Sequence, residues 1–168
     1  MDQLYTPWRI KYIKRKRESG LAGCVFCDIP ARDESAPDNL IIARGKNNYA
    51  VLNRYPYTFG HCMVVPYAHS SSPESLPAET LAELMTMSNR IMRVLSEIAN
   101  PDGFNIGANI GAAAGAGIAA HFHFHIVPRW SGDTNFMVSI GETQTIAAEL
   151  STIRQQMRET WRGLYGTD

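Results

Sequence analysis

The chain has 168 residues, 45% of them hydrophobic, with sixteen basic and sixteen acidic side chains that cancel to a formal charge of zero. This is enough for one domain with a sizeable core, and it excludes a general nucleic-acid binder and an intrinsically disordered polyelectrolyte. No apolar run reaches the roughly 20 residues of a membrane span, and the N-terminal stretch has no continuous apolar segment of the secretory kind, so the expectation is a cytoplasmic protein without a membrane partner.

In chain order, six basic residues first crowd into RIKYIKRKR, between Arg9 and Arg17. Read as function this is an arm facing phosphate or nucleic acid. Read plainly it is a solvated segment, the reading favoured here, with no specific nucleic-acid binding. Cys24-Val25-Phe26-Cys27 follows; with three cysteines in a cytosolic chain, that spacing points to metal or redox chemistry before a structural disulfide. Residues 28–38 (DIPARDESAPD) read as a loop. NLIIARG (39–45) and NYAVLN (48–53) read as strands joined around Gly45, and TFGHCMVVP (58–66) as a third. Over 75–99 the period becomes helical, with Leu81, Leu84, Met85, Ile91, Met92, Leu95 and Ile98 on one stripe, Ser88 its polar gap, and Pro77 in the first turn. GFNIGANIG (103–111) returns to strand, AAAGAGIAA forms a small-residue loop, and HFHFHIVPR (121–129) is a strand closed by proline. A last helix is expected over 144–162, with Ile146, Leu150, Ile153, Met157 and Trp161 aligned. Without regular strand–helix alternation the expected class is α+β: a mostly antiparallel sheet of about five strands carrying a long helix and a C-terminal helix. One domain spans 1–168, made of an arm with the CxxC (1–38), a core (39–130) and a C-terminal extension (131–168). Open strand edges make dimerisation through the sheet plausible.

In HFHFHIV, strand alternation puts His121, His123 and His125 on one face and Phe122, Phe124 and Ile126 on the other. Histidine is an uncommon core residue, and three imidazoles in a row are a poor packing solution. They fit a metal site or nucleophilic and acid–base catalysis. The glycine-rich loop from Gly111 to Gly117 opens onto the row and offers backbone N–H groups to an anion. Together these features point to phosphate chemistry at an imidazole.

The row H-F-H-F-H-I-V resembles the signature of the histidine triad family of nucleotide hydrolases and transferases. AVLNRYPYTFGHCMVVP (50–66) resembles that family's nucleoside-binding hairpin, and NIGAAAGAG its phosphate loop. PRWSGDTNFM (128–137) and LYTPWR resemble the branch of bacterial diadenosine polyphosphate hydrolases and phosphorylases. The resemblance implies that His123 attacks the α-phosphorus of a nucleotide, that His125 binds phosphate oxygens and assists the leaving group, and that His121 orients the row. It implies that His61 supports the triad, Asn53 meets ribose, Asn109 lies on the phosphate side, and Gly117 and Ile118 present backbone to phosphate. Imidazole suits such two-step transfer, being uncharged near neutrality and a good leaving group; no catalytic cofactor is required. The better-known branches carry Gln followed by Ser or Thr ahead of the row. Here Ala116 to Ala120 is one residue longer and lacks those side chains, which leaves phosphate contacts to backbone. The resemblance further implies a homodimer, and a structural zinc held by Cys24, Cys27, His69 and His121, with Cys62 a small core residue. The leading expectation is cleavage of dinucleoside polyphosphates. The competing readings are a nucleoside phosphoramidase, a nucleotide-binding regulatory module with a silent triad, and a metal enzyme using all three histidines as ligands.

Overall fold

The computed structural model describes residues 23–36, 38–133 and 148–166; the basic arm, the 134–137 part of the branch motif and Ile146 lie outside them. Five strands form one sheet: β1 (Ile41–Arg44), β2 (Asn48–Leu52), β3 (Cys62–Pro66), β4 (Gly103–Gly107) and β5 (Phe124–Arg129). Their spatial order is β1-β2-β3-β5-β4, and every neighbouring pair is antiparallel. A short helix α1 (Val25–Asp28) precedes the sheet. The long helix α2 (Ala78–Ala99) and the C-terminal helix α3 (Leu150–Tyr165) pack on each other and on the strands.

The register explains the two faces. Val51 pairs with Met63, and Met63 with His125, so these three form one row across β2, β3 and β5. The neighbouring row, Leu52, Cys62 and Ile126, turns toward the helices; Cys62 is fully buried, with its sulfur 3.9 Å from that of Met157 on α3. Ile153, Met157 and Trp161 are buried as their spacing requires, while Leu84, Met87, Ile91, Val94 and Leu95 form the buried stripe of α2. Ser88 belongs to that stripe: buried, its hydroxyl donates to the Leu84 carbonyl at 2.8 Å. Met85, expected in the stripe, is exposed.

Glu83 of α2 ties the β1–β2 turn to the helix, accepting the N–H groups of Lys46 (2.6 Å) and Asn47 (2.7 Å). Gly45 leaves room for that contact, because a Cβ there would displace the Glu83 carboxylate from the turn.

Several expected boundaries change. Residues 28–38 are not wholly loop, since α1 continues into a 3-10 turn at Ile29–Ala31. In the third strand, residues 58–60 are a turn. The long helix begins at Ala78 with Pro77 as its N-cap, after a separate turn at Pro73–Ser75, and ends on Asn100 in the left-handed conformation. β4 stops at Gly107. In the C-terminal helix Ala148 and Glu149 are not yet helical, and the last turn runs three residues past 162. β5 begins only at Phe124, because the Phe122 N–H bonds the Ser70 carbonyl (2.5 Å) instead of joining the ladder.

Candidate active site and metal centre

The sheet face opposite the helices floors a cavity of about 170 Å³. Val51, Met63 and His125 supply the floor, Leu40 the edge, and Val25, Phe26 and Ile29 of the α1 region an apolar wall. The polar side gathers Asn53, Asn109, Gly117, His123 and His125, together with Ile118. All six cavity positions that the sequence singles out on this side therefore meet around one space. His61 lies behind His125, and His121 faces the cysteines; neither lines the cavity.

Contrary to the expectation that histidine avoids the core, His61, His121 and His123 are all buried. Burial is tolerable because each ring has hydrogen-bond partners. These partners also assign the ring protons. His123 Nδ1 lies 2.8 Å from the His121 carbonyl, which only accepts, so Nδ1 carries the proton and Nε2 the lone pair. Tyr57 N–H donates to His61 Nδ1 at 3.0 Å, so the His61 proton is on Nε2. That proton is donated to His125 Nδ1 at 3.0 Å, which leaves the His125 ring proton on Nε2. The Phe26 ring lies tilted against His123 with centroids 4.8 Å apart, and Tyr57 against His61 at 4.5 Å.

Burial is the main cause that lowers the pKa of His123 below the ordinary imidazole range; the bond to the His121 carbonyl opposes it. His61 is pushed down to about 3 by burial first, then by the charges His125 and His123 would carry. Stability should therefore fall on acidification. Below about pH 6.5 the unfolded chain binds a proton at His61 that the folded protein refuses until about pH 3. Over that window this group costs up to about 1.4 kcal/mol per pH unit. Denaturant titrations between pH 7 and 4 should show a shallower pH slope for His61→Asn than for the parent chain; equal slopes would refute it.

The remaining histidine belongs to a second centre. His121 Nε2 donates to the Pro66 carbonyl at 2.9 Å, which turns its Nδ1 lone pair toward Cys24 Sγ (3.3 Å) and Cys27 Sγ (3.5 Å). His69 Nδ1 is 3.3 Å from Cys27 Sγ, and all four ligand atoms lie within 4.8 Å of one another. Tetrahedral zinc, with bonds of roughly 2.3 Å to sulfur and 2.0 Å to nitrogen, sets sulfur and nitrogen about 3.5 Å apart. Two soft sulfurs and two imidazoles suit zinc, and the outer bond from His121 to Pro66 fixes the ligating nitrogen. Burial, and then the adjoining Cys24 sulfur, raise the Cys27 pKa, a penalty that a cation relieves. The residues present fit a structural zinc.

Residues 34–132 match the HIT domain. Over 96% of this chain and 85% of the relative, the sequence is 40% identical to the AP-4-A phosphorylase of Mycobacterium tuberculosis. The chain belongs to the HIT family. Among solved structures, a Zn-bound histidine triad protein from Mycobacterium smegmatis superposes with a TM-score of 0.69 at 31% identity, covering 84% of this chain and 95% of that one. A histidine triad nucleotide-binding protein of Sulfolobus tokodaii gives 0.68 at 26% identity, covering 85% and 97%. The antiparallel five-stranded sheet with its helices is thus the HIT fold, and one solved protein of that fold and family is Zn-bound.

Sequence reasoning missed the α1 wall and the turn 54–57. Val25 and Phe26 were legible only as the two residues between metal-ligating cysteines, a place that fixes their backbone without revealing what they cover. Trp130 is not a cavity residue; its indole N–H donates to the Ala99 carbonyl at 3.2 Å and its ring meets Phe59 edge-on.

Proposed function

We propose that this HIT enzyme cleaves dinucleoside polyphosphates through a nucleotide covalently held on His123. The carrying observation is the fixed tautomer of that ring: with Nδ1–H bound to the His121 carbonyl, the Nε2 lone pair is the nucleophile. The apolar wall takes a base, Asn53 the ribose, and Asn109 with the backbone of Gly117 and Ile118 the phosphate oxygens.

His123 Nε2 attacks the α-phosphorus, and the bond to the bridging oxygen breaks. The departing nucleotide leaves as its polyphosphate anion, and the freed oxygen accepts a hydrogen bond from Nε2–H of His125, whose Nδ1 is held by His61. In the second step water or inorganic phosphate attacks, and the proton that it carries stays with the product phosphate or passes to solvent. The P–N bond to His123 breaks, returning the lone pair to Nε2, while His125 Nε2–H again holds a phosphate oxygen. A bound zinc would stabilise the fold around His121 and take no part in either transfer. The M. tuberculosis relative, named for phosphorolysis, favours phosphate as the second acceptor.

Product analysis with diadenosine tetraphosphate, with and without inorganic phosphate, tests this. ADP plus ATP, formed only with phosphate, is the expected result. AMP plus ATP without phosphate would make the enzyme a hydrolase. No cleavage would overturn the reading in favour of a nucleoside phosphoramidase.

The same reading includes a homodimer joined along β4, an edge strand beside which Ile106 and Ile110 are exposed. No helix among the described residues is long and apolar enough to cross a membrane. Three free cysteines suit a reducing cytoplasm.

A further inference from the structure

A dinucleoside polyphosphate brings the site several negative charges, most of them beyond the phosphorus under attack. The permanently charged side chains lining the cavity, among the described residues, are Arg32, Asp38 and Arg54. Arg32 pairs with Asp38 at 3.1 Å, which leaves that pair without net charge. Arg54 is exposed, and its guanidinium has no ion pair or hydrogen bond among the described residues.

The position of Arg54 is fixed by its neighbours. The Asn53 N–H bonds the His61 carbonyl at 2.9 Å, and Asn53 Oδ1 accepts the Tyr55 N–H at 3.0 Å. Tyr57 N–H holds His61 Nδ1, and the Tyr57 ring stacks over His125 with centroids 6.3 Å apart. The turn 53–57 is therefore stapled at both ends to the histidine side of the cavity. A rigid backbone carries one unspent cation at the exposed rim of the cavity, beside the histidines.

The geometry points to Arg54 as the side chain that binds the phosphates distal to the scissile bond, setting a preference for long polyphosphate leaving groups over small ones. This inference rests on the proposed cleavage of dinucleoside polyphosphates. A guanidinium forks onto two phosphate oxygens, a contact worth more than one neutral hydrogen bond. A nucleoside phosphoramidate, whose leaving group is a small amine, has nothing for Arg54 to hold.

Two comparisons test it on Arg54→Gln. The first is the ratio of kcat/KM for diadenosine tetraphosphate to kcat/KM for adenosine 5′-phosphoramidate, expected to fall about 10- to 100-fold, with partial recovery in Arg54→Lys. The second is calorimetric affinity for ATP and AMP without added divalent cation. ATP binding should weaken by about the same factor while AMP binding holds, and the salt dependence of ATP binding should flatten. Equal losses for both members of either pair would mean that Arg54 only shapes the turn; no loss would mean that it faces solvent. Either result overturns the assignment. If the parent chain cleaves neither substrate, the proposed function fails, while the comparison of ATP with AMP still decides the role of Arg54.

Discussion

Replacing His123 with asparagine is expected to lower kcat for diadenosine tetraphosphate by about 10⁴-fold or more, with KM changing far less. The loss is large because no neighbour can take over. His121 points its lone pair at the cysteines, and the His125 Nδ1 lone pair is occupied by the His61 proton. His125→Asn should cost about 10²- to 10³-fold, the usual worth of one hydrogen-bond donor to a developing charge. It should also let the nucleotidyl-protein accumulate, since that residue serves the second step too. Acid quench and intact-protein mass would show one added AMP on the parent chain and on His125→Asn, and none on His123→Asn. Because His123 is buried against Phe26, the variant must retain its metal content before its rate is interpreted. Activity within about tenfold of the parent would rule out a covalent His123 intermediate, and with it the two-step scheme.

The parts of this site that were legible in sequence share a property: their meaning is carried by spacing. Alternation in HFHFHIV placed Phe122 and Ile126 in the core and brought His123 and His125 to one cavity. Leu84, Ile91 and Leu95 of the helical stripe and the trio Ile153, Met157 and Trp161 are buried as their period requires, while Met85 is exposed. What failed is what spacing cannot encode. Helix α1 has four residues, too few for a period, so its role as a wall of the cavity was invisible. The late start of β5 depends on the Ser70 carbonyl, which is 52 residues away in sequence and captures the Phe122 N–H. The division of labour among three similar histidines depends on carbonyls and on one another: Pro66 for His121, the His121 carbonyl for His123, and His61 for His125. A sequence displays the imidazoles, but the tautomers belong to the fold.

Removing the metal should loosen the nucleoside site as well as the fold. The two cysteines bracket Val25 and Phe26, and both side chains line the cavity. Within the described residues, α1 is otherwise fastened at few points, chief among them the Tyr49 hydroxyl, which donates to the Phe26 carbonyl at 2.7 Å. The buried Phe26 ring alone is worth about 1.5–3 kcal/mol, and metal coordination adds folding free energy to the same segment. The double variant Cys24→Ser, Cys27→Ser should therefore lose a few kcal/mol, which corresponds to a fall in Tm of roughly 5–12 °C for a chain of this size. Protein purified without added zinc should carry about one equivalent; less than roughly a tenth would argue heavily against the site. The sheet and the two long helices have their own buried core, so far-ultraviolet circular dichroism should survive while amide exchange over 24–31 accelerates. Binding of AMP should weaken at the same time, because the wall that α1 presents to a base is then no longer held. Faster exchange with unchanged AMP affinity would separate the metal from the nucleoside site. Unchanged exchange would mean that Tyr49 and the packing of Phe26 hold α1 in place without any ion.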